Sequence, residues 1–152
     1  WNIDQVEFLD RLQWAAQSHE IGLAIAHDQF HKHSAYLVAH SDLPGFSREE
    51  QHALATIVSG QRKKISKKEI KALPDELQKS TRYLTFLLRL ALVFNRGRSE
   101  TTDTFIKLKA TKKGLRLELP EGWLDQHPLT EADLLQEAEH LKAINFELNI
   151  KV

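Results

Sequence analysis

The run Leu84-Thr-Phe-Leu-Leu-Arg-Leu-Ala-Leu-Val-Phe94 decides how the rest of the chain is read. It is apolar on nearly every side of a helix, and Arg89 is its one charge. A helix apolar all round belongs in a core, so the run predicts the buried central helix of a bundle, reaching from Asp75 to about Arg96. Arg89 within it requires a carboxylate, a carbonyl or a bound anion, because an unpaired buried charge is too costly.

Upstream, the helical period persists. Ile3, Val6, Leu9 and Leu12 fall three apart and Trp14-Ala15-Ala16 continues them, which predicts an amphipathic helix ending near His19–Gly22. Gly22 is expected to close it in a left-handed conformation. A second helix begins near His31 and carries Tyr36, Leu37 and Val38. Ser41-Asp-Leu-Pro-Gly-Phe46 reads as a turn. Ser47-Arg-Glu-Glu50 has the spacing of a capping box, and Leu54, Ile57 and Val58 supply the buried stripe of the helix it opens. Residues 61–72 are polar and basic, with Ser66 and Pro74 flanking a short turn or helix.

Downstream, the period shortens after Gly97-Arg-Ser-Glu-Thr-Thr102. Phe105 to Ala110 partly alternates, Lys112-Lys113-Gly114 turns, and Leu115-Arg-Leu-Glu-Leu119 alternates strictly, so a β-hairpin is predicted. Pro120-Glu-Gly122 ends it. Thr130 is expected to cap a helix through about Ala143, and Phe146 to Val152 to form a last strand. The fold class is therefore mainly α, followed by a small α+β unit of order β-β-α-β. The expected domains are 1–97 and 103–152, with the boundary at 97–103.

The 152 residues are 41% hydrophobic and 28% charged, a globular rather than a disordered composition. Without cysteine there is no disulfide, thiolate zinc site or cysteine nucleophile. No apolar run approaches the roughly 18 residues of a membrane span, and the first residues lack a signal-peptide pattern, so a cytoplasmic protein without membrane contact is expected. The absence of methionine leads us to expect a piece of a longer or processed chain. The net charge is zero, but it is segregated. Residues 1–60 carry three basic against eight acidic side chains (−5), 61–113 fifteen against five (+10), and 114–152 three against eight (−5). Such a block draws anions even on a neutral protein.

Five of the eight histidines, His19, His27, His31, His33 and His40, fall within 22 positions. Clustered His and carboxylate can hold a divalent metal that activates water, so His19, Glu20, His31 and His33 form a candidate metal-phosphohydrolase site. Against it, His31 and His33 are two apart and cannot share a helix face. Asn95 and Arg96 also stand where a last carboxylate would be needed. The alternative is that these histidines cap helix ends and make buried hydrogen bonds. No Gly-rich phosphate loop, GxSxG or HExxH occurs. The residues alone point to an anion-binding piece rather than a catalytic one.

Three segments in order, Trp14-Ala-Ala-Gln-Ser-His-Glu-Ile-Gly-Leu23, Phe30-His-Lys-His-Ser-Ala-Tyr-Leu-Val38 and Ser41-Asp-Leu-Pro-Gly-Phe46, resemble the C-terminal region of the exopolyphosphatase / guanosine pentaphosphate phosphatase (Ppx/GppA) family. The resemblance continues through Leu87-Leu-Arg-Leu-Ala91 to Gly122-Trp-Leu-Asp-Gln-His-Pro-Leu129, and so covers essentially the whole chain. It implies a degenerate HD-like helical domain followed by a small α+β unit. His19-Glu20 replaces the His-Asp pair of active HD enzymes, and Gln61-Arg62-Lys63 stands where many relatives have His before the basic pair. Both departures suit binding without catalysis, with His19, Glu20, His31 and His33 a vestigial site.

The resemblance implies a parent enzyme that removes terminal phosphate from polyphosphate or guanosine pentaphosphate. Its catalysis and its magnesium would lie in N-terminal actin-like domains outside this sequence, with no cofactor and no catalytic residue in the present chain. The expected polyanion track is Arg62, Lys63, Lys64, Lys67, Lys68 and Lys71, with Arg89, Arg96 and Arg98 as deeper candidates. The expected partners are the polyanion, the chain's own N-terminal domains and a second copy in a homodimer. Aromatic residues are sparse in the basic block, so no nucleic acid is expected. The rival readings are a stand-alone HD-type metal phosphohydrolase and a non-catalytic anion-binding interaction domain.

Overall fold

The structure, a computed structural model, describes residues 1, 3, 5–96 and 106–151. It is mostly helical and closes with a small mixed sheet. The elements run α1 (Val6–Ser18), α2 (Phe30–His40), α3 (Arg48–Ser59), α4 (Lys67–Lys71), α5 (Asp75–Asn95), β1 (Lys107–Ala110), β2 (Gly114–Glu118), α6 (Trp123–Gln126), α7 (Pro128–Lys142) and β3 (Glu147–Lys151). The chain divides into two compact units, residues 1–89 and 90–152, so the division falls within α5. The boundary expected at 97–103 lies outside the described residues.

In the first unit, α3 packs against both α1 and α2. Its start is the expected capping box: Glu50 N–H donates to Ser47 Oγ, and Ser47 N–H donates to the Glu50 carboxylate. These bonds hold the Glu50 carboxyl below the usual carboxylate range. Leu54, Ile57 and Val58 are buried as predicted, together with Ala53 and Ala55. The long helix α5 forms over the expected range. It is not buried all round, however: Ala91 is exposed, and Leu87, Leu92 and Phe94 are half-buried.

Two expectations for α1 are corrected. Its apolar stripe does not face inward, because Val6 and Leu9 are exposed and the buried positions are Arg11 and Ala15. Ala15 is small enough to admit a neighbouring helix closely, and Arg11 NH2 lies 3.6 Å from Glu50 Oε1 on α3. Gly22 is not left-handed; among the described glycines positive φ is found at Gly45 and Gly122. Gly22 sits in a 3₁₀ turn, Ile21–Ala24, where a Cβ would lie 2.2 Å from the Phe30 carbonyl oxygen and 2.4 Å from Ser34 N. Close approach of α2, rather than backbone freedom, demands glycine there.

In the second unit the sheet order is β1-β2-β3. β1 and β2 pair antiparallel as the predicted hairpin, and β3 returns parallel to β2. A parallel return needs a crossover, which α6 and α7 provide. Leu115, Leu117 and Leu148 from the sheet and Leu124, Leu134 and Leu141 from the helices form the core. Thr130 does not cap α7. The helix starts at Pro128, whose fixed φ and missing N–H suit a first helical position. The preceding His127 stacks on Trp123, ring centroids 3.9 Å apart. The four-residue α6 is too short to show a period and was not expected.

Ser47→Ala should cost about 1 kcal/mol, the usual worth of an N-cap. Gly22→Ala should cost about 1–3 kcal/mol or more, because the added methyl meets backbone rather than a movable side chain. Urea unfolding at constant m checks both, and a neutral Gly22→Ala would contradict the close approach of α2.

Candidate functional site

The segment after α3 is held from beneath. Arg89, only 2% exposed, donates from NH1 to the Gly60 carbonyl at 2.6 Å. The carbonyl among the three expected partner types is thus present. Next along the chain, Gln61 donates from Nε2 to the His19 carbonyl at 2.7 Å. The Ser34 hydroxyl donates to that same carbonyl at 2.9 Å and accepts from Gly22 N–H at 2.8 Å. The end of α1, the 3₁₀ turn, α2 and the segment after α3 are therefore tied together by internal hydrogen bonds.

This anchoring aims the basic residues that follow. The Arg62 guanidinium lies 5.1 Å from the Phe30 ring centroid, a cation–π contact at the start of α2. Lys63 has φ 58° and Gln29, the residue before α2, φ 51°. Both are left-handed conformations that non-glycine residues adopt only when the surroundings enforce them. His31, in the first turn of α2, is 4% exposed. Burial pushes its pKa below the ordinary 6.5, and the charges of Lys63, Arg62 and Lys32 push it further down, with Asp28 opposing. The charges of Lys63, Arg62 and Lys32 thus act on one buried imidazole, against that of Asp28. The first turn of α2 has no side-chain cap, and its dipole adds positive potential at the same place. Lys32 also borders an open cleft of about 420 Å³ floored by Ala35, Ala39, Ala55 and Ala72.

Arg62, Lys63, Lys64, Lys67, Lys68 and Lys71 are all exposed. Ile65, Ile70 and Leu73, all buried, anchor the segment that carries them. Ser66 caps α4 by accepting from Glu69 N–H, and Lys67 and Lys71 share a face at i and i+4. Arg89 is an internal tie. Arg96 lies in the second unit at 2.5 Å from Asp133 Oδ2. Arg98 lies outside the described residues. Sequence alone does not single out Lys32, which stands between two histidines and apart from the basic block.

The histidines are dispersed in role. His19 donates from Nδ1 to the Ala16 carbonyl and His40 from Nδ1 to the Tyr36 carbonyl, each within its own helix turn. His19 Nε2 is 3.8 Å from Glu20 Oε1. His27 is exposed and His33 half-buried. Among the described residues, no three His, Asp or Glu side chains gather to hold a metal ion.

The His31 environment sets a pH dependence. The folded pKa lies below the unfolded value of about 6.5, so the unfolded chain binds more protons between the two. Stability should then fall as pH drops through about 6.5 and level off below the folded pKa. Denaturant unfolding between pH 7.5 and 5 should show a shallower acid loss for His31→Gln than for the native chain. An identical loss in the variant would contradict the assignment.

Among the described residues no helix is long and apolar enough to cross a membrane. Residues 1–138 match the family description Ppx/GppA phosphatase, domain III. That match takes in the anchored basic segment, α2 and the second unit up to late α7, and ends before β3. The chain belongs to the Ppx/GppA phosphatase family.

Proposed function

We propose that this chain holds the polyanionic substrate of a Ppx/GppA phosphatase while terminal phosphoanhydride hydrolysis takes place in N-terminal domains outside this sequence. The observation that carries the reading is the convergence of Lys32, Arg62 and Lys63 on the buried His31, at a segment fixed by Arg89 and Gln61. A phosphate chain carries charge along its length and is held by a track rather than by one pocket. Lys64, Lys67, Lys68 and Lys71 extend the cluster as such a track. Arg offers paired N–H groups to phosphate oxygens, and Lys a mobile point charge. The ligand is polyphosphate or guanosine pentaphosphate. The chain's own N-terminal domains and a second copy in a homodimer are its protein partners in this reading. In this reading the magnesium that the resemblance implies for the parent belongs with the catalytic domains.

The binding is by surface charge, so it should be weak and salt-sensitive. Titration with long-chain polyphosphate at two salt concentrations tests it. Charge reversal of Lys63, Lys64, Lys67 and Lys68 to Glu should lower affinity. It should also flatten the salt slope, by about 0.7 for each phosphate no longer neutralised if the value for single-stranded nucleic acids holds. The fold should survive, because exposed charge pairs contribute only about 0–1 kcal/mol each. Unchanged affinity and slope in a folded variant would overturn the track.

The chain by itself should release no phosphate from polyphosphate or guanosine pentaphosphate with magnesium or manganese present. Turnover that His19→Ala abolishes would establish the metal-phosphohydrolase reading instead.

A further inference from the structure

β3 stands at one edge of the sheet of the second unit, with β2 on one side and no strand on the other among the described residues. The Glu147 N–H donates to the Lys113 carbonyl at 3.0 Å, and the Lys151 carbonyl accepts from the Leu119 N–H at 2.9 Å. Backbone groups alternate in direction along a strand, so Glu147, Asn149 and Lys151 turn theirs towards β2. Leu148 and Ile150 turn theirs, two N–H and two C=O groups, towards the open side. The side chains alternate as well. Leu148 and Ile150 share the face of Leu115 and Leu117, and Glu147, Asn149 and Lys151 lie exposed on the other.

Edge strands are ordinarily blunted by proline, by a bulge or by like charges. β1, the other edge, carries two lysines and no anion. β3 has none of these guards. Its register with β2 runs from Gly114 and Glu147 to Glu118 and Lys151 without a bulge, and Glu147-Leu-Asn-Ile-Lys151 holds no proline. Its charge pattern is also self-complementary. Two copies laid antiparallel about a two-fold axis at Asn149 set Glu147 opposite Lys151, Leu148 opposite Ile150 and Asn149 opposite itself. In that register the Leu148–Ile150 pairs are the hydrogen-bonded ones, so every outward backbone group is used, in four bonds. Glu147 and Lys151 fall at the non-hydrogen-bonded positions, where opposing side chains stand closest. A slip of two residues either way sets Leu148 or Ile150 opposite itself and loses both ion pairs.

We propose that the open edge of β3 docks β3 of a second copy of this chain about a two-fold axis, joining two three-stranded sheets into one. The proposal rests on the homodimer of the proposed function and names the surface that forms it. A two-fold seam closes on itself, whereas β1 of one copy on β3 of the next is a head-to-tail contact that grows into a filament. Two β1 edges would set lysine against lysine, so charge favours β3 on β3. The seam has only the five residues of β3 on each side, against roughly 20–30 for a standard interface, so the dimer is weak and concentration-dependent.

Sedimentation equilibrium of the full chain over a wide concentration range tests this. The native chain should pass from monomer to dimer. Glu147→Lys alone gathers only cations at the seam and Lys151→Glu alone only anions, so each should raise the dimer Kd about tenfold or more. Mixed in equal amounts, the two variants restore both opposite-charge pairs and should form a heterodimer with nearly the native Kd, a recovery that damaged sheets would not give. In the native chain the Leu148 and Ile150 amides should gain protection from hydrogen exchange as concentration rises, whereas the Glu147 amide, already bonded within its copy, should not. Folded single variants that dimerise like the native chain would overturn the β3 seam and leave the homodimer reading standing, and a mixture that stays monomeric would overturn the seam as well. A native chain that stays monomeric throughout would overturn both. Assemblies that grow beyond the dimer would overturn the seam in favour of β1 on β3. Should either variant misfold by circular dichroism, native amide exchange decides alone: Leu148 and Ile150 protection that ignores concentration overturns the proposal.

Discussion

A guanidinium almost entirely removed from water constrains the first unit. Arg89 cannot be neutralised, so the fold must bring acceptors to it, and the Gly60 carbonyl at the end of α3 is one. A hydrogen bond to a charged group contributes about 1.5–3 kcal/mol, and leaving the buried charge unpaired would cost more. Once Gly60 is fixed, Gln61 is in place to reach the His19 carbonyl, and the end of α1 is fixed in turn. Close packing tightens the same point. A Cβ on Gly60 would stand 2.7 Å from the Thr85 methyl, and one on Gly22 would strike the backbone of α2. The buried arginine therefore sets the position of the segment from which the exposed cations project.

This arrangement reconciles two demands that usually conflict. A track for anions must gather like charges, and a stable fold must disperse them. Here the charges gather on a segment whose own apolar residues, Ile65, Ile70 and Leu73, are driven inward. The imidazole beneath them stays neutral by burial, so it adds no repulsion near neutral pH. The sheet applies a milder version of the same solution, with Glu118 shared among Lys109, Lys151 and Arg116. The +10 block seen in the sequence is thus divided between the two units.

Features set by short-range geometry were legible in the sequence. The Ser47–Glu50 capping box, the hairpin and the long helix each depend on residues close in the chain, and each formed where periodicity and spacing placed it. Features set by tertiary contact were not. Nothing near Gly22 reveals that α2 will press on it, and nothing near Arg96 reveals that Asp133 will pair with it. The outward turn of Val6 and Leu9 accompanies the burial of Arg11, whose NH2 lies 3.6 Å from Glu50 on another helix. At the candidate site the basic segment was visible as composition, whereas Lys32 was not, because its membership depends on how α2 lies beside residues 62–63. In the histidine cluster, nearness in sequence did not become a shared coordination sphere among the described residues.

If the anchored segment presents its cations to a phosphate chain, the backbone around them must sense the ligand. Amide chemical-shift mapping of the full chain during a polyphosphate titration reads this out residue by residue. Lys32, Arg62 and Lys63 should be among the amides most strongly shifted, with Gly60 and Gln61 moving less because Arg89 and the His19 carbonyl hold them. Binding that leaves the amides of Lys32 and residues 60–64 unmoved would contradict this arrangement.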